Sequence, residues 1–378
     1  MTAMQILHIY KDYFPVLGGI ENHIRILAEA QVTRGHNVTV LVANPAQRTT
    51  VETLNGVRVI KAARWATVAS TPISPALFRQ AARLKADVAH LHFPHPPGEV
   101  ANWLWRPAKA TVISYHSDVV RQASILRFYK PLMKRVLKKA DAIIYGSPPM
   151  RASVYLQPHA AKLHLIPYGI PLDRFWREPS GAEIDRARAN YPRAFTDRPL
   201  LLFVGRLRYY KGLNVLIDAL PQIDADLLVV GVGPMLDEWQ TLARARGVAD
   251  KVVWLGEVSD ADLPALYHQS DVFVLPATHT SEAFGLVQVE AMASGVPTIC
   301  TELGTGTSYV TQHEQTGLVV PPNDPAALAG AINRLLADAA WREALGAAAR
   351  QRARAEFAVE QMIDRVERLY QALISRSL

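Results

Sequence analysis

Residues 199–233 read PLLLFVGRLRYYKGLNVLIDALPQIDADLLVVGVG and decide the fold of the second half of the chain. Two short apolar runs, PLLLFVG (199–205) and DLLVVGVG (226–233), enclose a segment long enough for a crossover helix. Continuous apolar runs of this length are typical of strands buried on both faces of a parallel sheet. The segment therefore predicts the start of a doubly wound α/β domain.

Apolar runs of the same kind recur along the rest of the chain. The second half continues with KVVWLGE (251–257), DVFVLP (271–276) and VPTIC (296–300). The first half contains QILHIY (5–10), NVTVLV (37–42), VRVI (57–60), DVAHLH (87–92), TVISYH (111–116) and AIIYGS (142–147). Segments with helical spacing lie between these first-half runs, near residues 20–33, 74–85, 121–139 and 147–156. We therefore predict two doubly wound, Rossmann-like α/β domains whose carboxyl strand ends face a cleft.

The boundary between the two domains is predicted within residues 171–199. This stretch contains four prolines among polar and charged residues, which is typical of a linker. We assign residues 1–175 to an N-terminal domain and residues 195–357 to a C-terminal domain. Residues 324–375 are rich in Ala, Arg and Leu with helical spacing, so the end of the chain is predicted to be helical.

Composition excludes several classes of protein. The 378 residues are 49% hydrophobic and 20% charged, which is typical of globular domains and not of a disordered chain. No apolar run reaches the roughly 18 residues of a membrane span, and residues 1–10 lack the pattern of a signal peptide. We therefore expect a cytoplasmic protein. A single cysteine, Cys300, excludes an internal disulfide framework and a zinc site built from several cysteines.

Charge is distributed unevenly between the two halves. Residues 1–178 contain 23 Lys and Arg against 10 Asp and Glu, whereas the remainder contains 18 against 24. The basic half is suited to attract nucleic acid, phosphorylated small molecules or an anionic membrane. Charge alone does not choose among these partners.

The segment HTSEAFGLVQVEAMASGVP (279–297) holds two glutamates where a loop turns into a helix. Glu282 precedes the predicted helix and Glu290 lies inside it. Amides at a helix N-terminus bind phosphate well, so the carboxylates would flank a bound diphosphate on its sugar and ribose sides. The alternative is an ordinary helix with a favourable N-terminal Glu and a solvated Glu in its middle.

These motifs resemble the retaining glycosyltransferases of family 4, which have the GT-B architecture. The resemblance includes E-x7-E with an internal F-G-L, followed by E-A-M-A-x-G-x-P. It extends to FVGRLRYYKGLNVLIDAL (203–220), the Gly18-Gly19 loop and TGLVVPPNDPAALAGAI (316–332), so it covers nearly the whole chain. It implies the GT-B fold and a final helix, about residues 358–378, that packs back on the N-terminal domain.

The resemblance assigns roles to residues of the C-terminal domain. It implies that Arg206 and Lys211 hold the donor diphosphate and stabilise the departing charge. Without it, both are better explained as solvated basic residues near a turn. Glu290 would hold the ribose and Glu282 the sugar hydroxyls. The backbone next to Glu282 is included in the donor site, at Phe284, Gly285 and Leu286.

Two glycine motifs supply further candidates for the donor site. GVGPML (231–236) has only part of a dinucleotide fingerprint, so Gly231 and Gly233 are assigned a supporting role in donor binding. Gly18 and Gly19 follow a strand and precede a helix, where the backbone can approach a phosphate or the transferred sugar. A plain turn is the alternative for this pair.

His116 ends the run TVISYH and is followed by Ser117 and Asp118. A lone histidine is more often structural than functional. The HSD segment resembles the active-site histidine of the family, which contacts the donor sugar. His116 is therefore assigned to the catalytic site, and Asp118 to an acceptor contact.

His90, His92 and His95 raise the alternative of a metal site, because His90 and His92 would share one face of a strand. We do not predict one, since zinc needs further ligands and no acidic residue follows until Glu99. The resemblance also implies catalysis without a metal ion, and we expect no cofactor besides the nucleotide-sugar co-substrate.

Residues 121–139 predict a basic amphipathic helix that contains no acidic residue. Candidates for contact with the acceptor or with anionic lipid are Arg127, Lys130, Lys134, Arg135 and Lys138. The alternative is an ordinary surface helix whose apolar stripe faces the core. Nucleic acid is disfavoured as a partner, because no aromatic platform for stacking accompanies the charge.

The leading hypothesis is a retaining hexosyltransferase without a protein nucleophile. It would transfer a hexose from a nucleoside diphosphate sugar to a glycan or lipid-linked acceptor, in the synthesis of bacterial surface polysaccharide or glycolipid. TELGTGTSYV (301–310) departs from the common family pattern at Thr305 and Ser308. This variant resembles bacterial polysaccharide mannosyltransferases, so GDP-mannose is the predicted donor and a UDP-hexose the alternative.

Two other classes of protein stay open. One is a nucleotide-sugar epimerase of the same architecture, which would act without any acceptor. The other is an inactive relative that only binds a nucleotide sugar. The protein is expected in the cytoplasm, and peripheral attachment to the inner face of the membrane is left as an alternative.

Overall fold

The computed structural model describes residues 2–16, 18–68, 71–117 and 123–376, with the backbone alone for residues 68 and 123–128. The strands are β1 (Gln5–Ile9), β2 (Asn37–Ala43), β3 (Thr50–Leu54), β4 (Val57–Ala62), β5 (Ala66–Val68), β6 (Thr71–Ile73), β7 (Ala86–Phe93), β8 (Ala108–Tyr115), β9 (Ala142–Tyr145), β10 (Leu163–Leu165), β11 (Leu200–Val204), β12 (Asp226–Val230), β13 (Val252–Gly256), β14 (Val272–Leu275), β15 (Thr298–Thr301) and β16 (Gly317–Val320). The α-helices are α1 (Gly19–Thr33), α2 (Pro75–Arg83), α3 (Pro96–Trp105), α4 (Ala123–Lys139), α5 (Asp173–Trp176), α6 (Gly181–Asn190), α7 (Leu213–Ala219), α8 (Leu236–Ala245), α9 (Leu263–Gln269), α10 (Leu286–Ala293), α11 (Thr307–Val310), α12 (Pro325–Ala337), α13 (Ala339–Phe357) and α14 (Val359–Arg376).

The chain divides into two compact units. The first unit comprises residues 1–170 and the C-terminal residues 359–378, and the second comprises residues 171–358. The segment that the sequence suggests as a linker contains α5 and α6 and belongs to the second unit. Helix α6 begins in a capping box, in which Ser180 and Glu183 satisfy each other's backbone amides. Local capping therefore gives this proline-containing segment regular structure.

The sheet of the first unit has the strand order β10-β9-β8-β7-β1-β2-β4-β3 among the described residues. Its pairs are parallel except at the edge, where β3 runs antiparallel to β4. Side chains of β1 alternate between two cores. Ile6 packs with residues of α1 and α14, whereas Leu7 packs with residues of α2 and α4. Helices thus cover both faces of the sheet, and α14 is part of this unit.

The sheet of the second unit is parallel, with the order β13-β12-β11-β14-β15-β16. All five apolar runs that predict strands in this half form strands. Strand β11 lies between β12 and β14. The strands after β11 are added first on one side of it, as β12 and β13, and then on the other, as β14, β15 and β16, so the strand order reverses at β11. Ligands of doubly wound sheets bind at the carboxyl ends of strands at such a switch point. The loops after β11 and β14 are therefore the place to look for a site.

Several predicted elements need correction. The helix predicted near residues 147–156 is a short 3-10 helix at Pro148–Ala152, which ends where the backbone of Ser153 leaves the helical region with a ψ of 128°. The edge strands β3, β10 and β16, the β5–β6 hairpin and helix α3 were not predicted. The first-half strands are consequently not all parallel. None of the helices that the structure describes has the length and apolar character needed to cross a membrane.

Candidate functional site

The loop after β11 turns sharply at Gly212 to open α7. Gly212 has a φ of 71°, and a Cβ at this position would collide with the carbonyl of Pro276, which follows β14. Only glycine fits this approach. The close approach of Gly212 to Pro276 places the 205–212 loop against the end of β14. Lys211 therefore lies near the loop that contains Glu282.

Lys211 and Glu282 form an ion pair in the second unit. The Lys211 Nζ and Glu282 Oε2 atoms are 2.6 Å apart, and the two side chains are only 11% and 10% exposed. Removing two charges from water is costly, so such pairs are often kept for a purpose other than stability. The sequence suggests a phosphate contact for Lys211 and a sugar contact for Glu282. The structure brings these two predicted site residues into direct contact.

The loop that carries Glu282 is held from the segment after β15. The Thr305 hydroxyl donates a hydrogen bond to the Glu282 carbonyl at 2.8 Å, and the Gly306 amide donates to the Ala283 carbonyl at 2.8 Å. A Cβ at Gly306 would lie 2.7 Å from this carbonyl and from the ring of Phe284. Sequence reasoning noted Thr305 only as a departure from a common pattern and missed this positioning role. The G-T-G-T-S run was the available signal.

Helix α10 starts directly after this loop. Its N-cap is Gly285, with a φ of 77° and no side-chain cap. The first amides of a helix lack intrahelical acceptors, so those at Leu286 and the next residue suit an anionic ligand. The Phe284 side chain points away from this N-terminus into the core. It is 4% exposed and packs near Tyr309 and Phe357, which leaves only its backbone as a donor contact.

Glu290 lies one turn into α10, as predicted, but it is not a solvated side chain. Its Oε2 atom accepts a hydrogen bond from the Tyr267 hydroxyl at 2.8 Å. Burial raises the pKa of the Glu290 carboxyl, while this hydrogen bond and the charges of Arg174 and Lys211 lower it. The Lys211 charge therefore acts on both predicted glutamates, which groups them in one region. Tyr267 and Arg174 were not predicted.

Arg206 is exposed on the same loop as Lys211. Gly231 and Gly233 lie beside that loop for a steric reason. A Cβ at Gly231 would collide with the Gly205 carbonyl, and one at Gly233 with the backbone of Leu207. Close packing of two loops thus explains both glycines, and their predicted contact with the nucleotide stays a prediction.

In the first unit, Gly18 is the N-cap of α1 and Gly19 its first residue. The Glu21 carboxylate lies against Gly18, where a Cβ would overlap it, and it also faces the Lys11 ammonium at 3.7 Å. A carboxylate at this position repels a phosphate. The Lys11 ammonium offsets this repulsion, and the predicted contact of the Gly18-Gly19 turn with a phosphate or a sugar stays a prediction.

His116 belongs to a buried group that we call the histidine cluster: His8, His23, His90, His92 and His116. Positions 8, 90 and 92 lie on the same face of the adjacent strands β1 and β7, where His8 pairs directly with His90. His23 comes from α1, and His116 follows β8. Burial lowers the pKa of His8 to about 4 and of His23 to about 3. The pKa values of the other three are also lowered well below 6.5, mainly by burial.

The rings of this cluster are hydrogen-bonded to one another. His8 Nδ1 lies 3.0 Å from His92 Nε2, and His92 Nδ1 lies 3.1 Å from His116 Nε2. His116 Nδ1 lies 2.8 Å from the Tyr168 hydroxyl. Both ring nitrogens of His116 are therefore engaged within the unit. Its predicted contact with the donor sugar would use the backbone or the ring edge.

The trio considered as a metal site is not the one that the fold assembles. The rings of His90 and His92 stack with centroids 4.6 Å apart, but His95 packs edge-on against Tyr10 instead. The ligand atoms of His8, His90 and His92, and those of His23, His92 and His116, lie within 4.8 Å of one another. The N–H···N pairs already use the facing nitrogens, and His90 bonds to Ser114 and Tyr370.

Helix α4 places its described apolar side chains in the core. Met133, Val136 and Leu137 are buried. Exposed basic side chains form the outer face, at Lys130, Lys134, Arg135 and Lys138. Asp118 lies outside the described residues, as does the side chain of Arg127. The part of the apolar stripe that the structure describes is thus used within the unit, and the exposed basic side chains listed above are available to a partner.

Comparison with known proteins covers both units. Residues 17–174 match the model of Glycosyltransferase Family 4, and residues 186–352 match that of Glycosyl transferases group 1. The chain is 38% identical over 359 residues to the D-rhamnosyltransferase WbpZ of Pseudomonas aeruginosa, over 94% of this chain and 92% of the relative. It is 34% identical over 375 residues to the O-antigen chain mannosyltransferase C of Escherichia coli, over 98% and 99% of the two chains.

A solved structure resembles the whole chain. The sucrose-phosphate synthase from Thermosynechococcus elongatus superposes with a TM-score of 0.80 at 28% identity, over 98% of this chain and 99% of that one. With the two Rossmann-like sheets described above, this likeness confirms the predicted GT-B fold class.

Proposed function

Because the chain belongs to the glycosyltransferases of family 4 and group 1, and is thus a glycosyltransferase, we propose that it is a retaining, metal-independent hexosyltransferase. Its donor is a nucleoside diphosphate sugar, and its acceptor is a glycan or lipid-linked glycan of bacterial surface polysaccharide or glycolipid. The observation that supports this proposal most directly is the Lys211–Glu282 pair, held beside the N-terminus of α10.

Donor binding exchanges the partners of this pair. The diphosphate accepts hydrogen bonds from Lys211, from Arg206 and from the first amides of α10. The Lys211 ammonium then pairs with the diphosphate and no longer with Glu282. Hydroxyl groups of the sugar donate hydrogen bonds to the Glu282 carboxylate in its place. Ribose hydroxyls donate to Glu290, whose second oxygen accepts from Tyr267. Each charge that the donor separates thus finds a new partner in the second unit.

Transfer breaks the bond between the sugar C1 atom and the diphosphate oxygen, and the bonding electrons leave with the oxygen. The charge of Lys211, aided by Arg206, stabilises this leaving group in the place of a metal ion. The acceptor oxygen bonds to C1 on the same face, and its proton passes to the departing phosphate. No protein nucleophile is needed, and the configuration at C1 is retained.

The donor sugar is proposed to be mannose from GDP-mannose. Of the two relatives described above, one is named a mannosyltransferase and the other a D-rhamnosyltransferase. D-Rhamnose is 6-deoxy-D-mannose, so the two sugars have the same configuration at every ring carbon and differ only at C6. A UDP-hexose is the alternative donor, and the acceptor and linkage are left to experiment.

A thermal-shift panel with GDP, UDP, ADP, CMP and GMP tests the nucleotide. A ligand present at about 100 times its dissociation constant stabilises the folded state by about 2.7 kcal/mol. We expect GDP to raise the melting temperature selectively, and GMP to raise it less, because GMP lacks the phosphate that Lys211 binds. In the same panel, Lys211→Met should lose most of the difference between GDP and GMP. Arg246→Met is the matched control and should keep this difference, since Arg246 pairs with Asp218 at the exposed surface of the same unit.

Each result of this panel has a definite meaning. Selective stabilisation by UDP would replace the proposed donor but keep the proposed reaction. No response to any nucleotide would favour an inactive relative. With the true donor, an α-linked donor should yield an α-linked product by NMR, and a β-linked product would contradict retention. Release of an altered free sugar without an acceptor would indicate an epimerase.

The basic face of α4 is proposed to contact an anionic membrane when the acceptor is lipid-linked. The described apolar side chains of α4, Met133, Val136 and Leu137, are buried, so binding to vesicles through the basic face should be electrostatic and fall steadily as salt rises towards 1 M. Each exposed cation contributes about 1 kcal/mol near such a surface, so Lys134→Gln with Lys138→Gln should weaken binding roughly thirtyfold. Co-sedimentation with vesicles of anionic and of neutral lipid measures this.

Arg58→Gln with Lys85→Gln removes the same charge from exposed positions outside α4 and serves as the control. Vesicle binding that is equal for neutral and anionic lipid, or that persists in high salt, would contradict docking through this face.

A further inference from the structure

A continuous line of hydrogen bonds crosses the interior of the first unit from α1 to Tyr168. It begins at Gln31 Oε1, which lies 2.7 Å from His8 Nε2. It continues through the His8–His92, His92–His116 and His116–Tyr168 contacts at 3.0, 3.1 and 2.8 Å. Gln31, His8 and His92 are fully buried and His116 is 4% exposed, so water does not compete for these bonds. We call this line the imidazole chain.

One end of the imidazole chain determines every proton in it. The Gln31 amide oxygen can only accept, so His8 must carry its proton on Nε2 and leave Nδ1 bare. The bare Nδ1 of His8 can only accept, so His92 donates from Nε2. By the same rule, His116 donates from Nε2 to His92. The bare Nδ1 of His116 then accepts the hydroxyl proton of Tyr168. A neutral chain with this start has one consistent assignment.

The assignment can change only as a whole. If one ring reversed its tautomer alone, two N–H groups or two bare nitrogens would face each other across about 3 Å, at the cost of a buried hydrogen bond. The imidazole chain therefore transmits the choice of acceptor at Gln31 to His116, three hydrogen bonds away. We propose that Gln31, through His8 and His92, is a positioning residue that fixes the tautomer and the ring orientation of His116. The value of this for catalysis rests on the proposed function, in which His116 adjoins the donor sugar.

The groups around the imidazole chain leave this order intact. His23 meets His92, His116 and Tyr168 with its ring edge-on. His90 stacks on His92 but bonds to Ser114 and to Tyr370 of α14. The nearest acid on α14, Glu367, is bonded to His36 and to Arg34. Glu21 of α1 faces the Lys11 ammonium.

The test uses NMR of the full chain labelled with ¹⁵N in its histidine rings, with signals assigned by single His→Gln variants. In the wild type we expect the Nε2-protonated tautomer for His8, His92 and His116. Gln31→Glu keeps an oxygen acceptor and should preserve this pattern. Gln31→Met removes the acceptor, so the signals of His116 should shift or divide between two tautomers. Gln157→Met, at an exposed glutamine of the same unit, should leave them unchanged.

Turnover gives a second measurement. Gln31→Met should lower kcat about tenfold with KM little changed. A tenfold loss of kcat corresponds to about 1.4 kcal/mol of activation free energy. Gln31→Glu should keep most of the wild-type kcat. Protonated Nδ1 on His116 in the wild type would overturn the proposal, and so would His116 signals in Gln31→Met that match the wild type. One metal ion bound per chain in the purified wild type, by mass spectrometry, would also overturn it. An inactive wild type with the expected spectrum counts against the proposed function alone.

Discussion

Replacing Lys211 with methionine should lower kcat by 10²- to 10³-fold, with a much smaller change in KM for the donor. Removing one fixed group that stabilises developing charge typically costs roughly this much. Methionine keeps the length and apolar stem of lysine, so the change isolates the charge. Turnover of the donor by the purified variant, with single-turnover rates, measures the effect. Glu282→Gln should also be strongly impaired, because its amide is a poorer acceptor for the sugar hydroxyls.

The double variant Lys211→Met with Glu282→Gln separates catalysis from stability. Lys211→Met alone leaves a shielded carboxylate without its cation, which should cost about 3 kcal/mol of folding free energy. The double variant removes both charges and should recover most of this stability while staying inactive. If it regained activity together with stability, the pair would be structural and the assignment of Lys211 would be wrong. Arg246→Met, in an exposed ion pair of the same unit, should change neither property much.

The first unit should unfold when the pH falls from 7 to about 5.5. Burial is the main reason that the pKa values of six buried histidines of this unit are lowered well below 6.5, namely His8, His23, His90, His92, His95 and His116. In the unfolded chain they titrate near 6.5. Below this pH the unfolded state binds more protons, so stability is fully present above 6.5 and is lost as the pH falls.

One buried acid in the same unit opposes this loss. Burial raises the pKa of Glu99 to about 7, so the folded state binds that proton first and gains stability as the pH falls through 7. On unfolding near pH 5.5, the six histidines take up nearly six protons and Glu99 releases one. The free energy of unfolding therefore falls by about 6 kcal/mol per pH unit there. Since whole domains are stable by only about 5–15 kcal/mol, a fall of one to two pH units is enough to unfold this one.

The measurement is the free energy of unfolding of the first unit, from urea titrations at pH values from 8 to 5. Pulsed hydrogen exchange, always labelled at one fixed pH, reports on the amides of β7 and so distinguishes this unit from the second. His23→Phe keeps a ring of similar size and removes one of the six protons, so the slope should fall by about 1.4 kcal/mol per pH unit. Leu27→Ala, at a core position of α1, should lower stability by about 2–5 kcal/mol at every pH and leave the pH dependence unchanged. A free energy of unfolding that stays constant from pH 7 to 5.5 would refute the prediction.

Local sequence patterns predicted much of the fold. The apolar runs became the central strands of both sheets, because a run buried on two faces is marked by its own residues. The pattern failed at edges and connections. Strand β3 alternates intermediate and exposed residues, and α3 begins at two prolines, so neither resembles a buried element. The helix predicted near residues 147–156 was also shorter than expected, since its backbone leaves the helical region at Ser153.

The candidate site was predicted residue by residue but not as an arrangement. Glu282, Glu290, Lys211 and Arg206 were found because their spacing and family motifs are visible in the sequence. The roles of Thr305 and Gly306 were missed, since the carbonyls that they bind belong to a loop more than twenty residues away. The predicted donor contact at Phe284 concerns its backbone, and its side chain packs in the core.

By itself, the sequence determined the class of fold, the order along the chain of the strands that its apolar runs form, and the identity of the main candidate residues. These depend on periodicity and on short motifs, which neighbouring residues define. Only the tertiary structure decided that Lys211 meets Glu282 and that His8 meets His92. Both results follow from which strands lie side by side, β11 with β14 and β1 with β7. That pairing is a property of the packed sheet, and residues 70 to 90 positions apart carry no local sign of it.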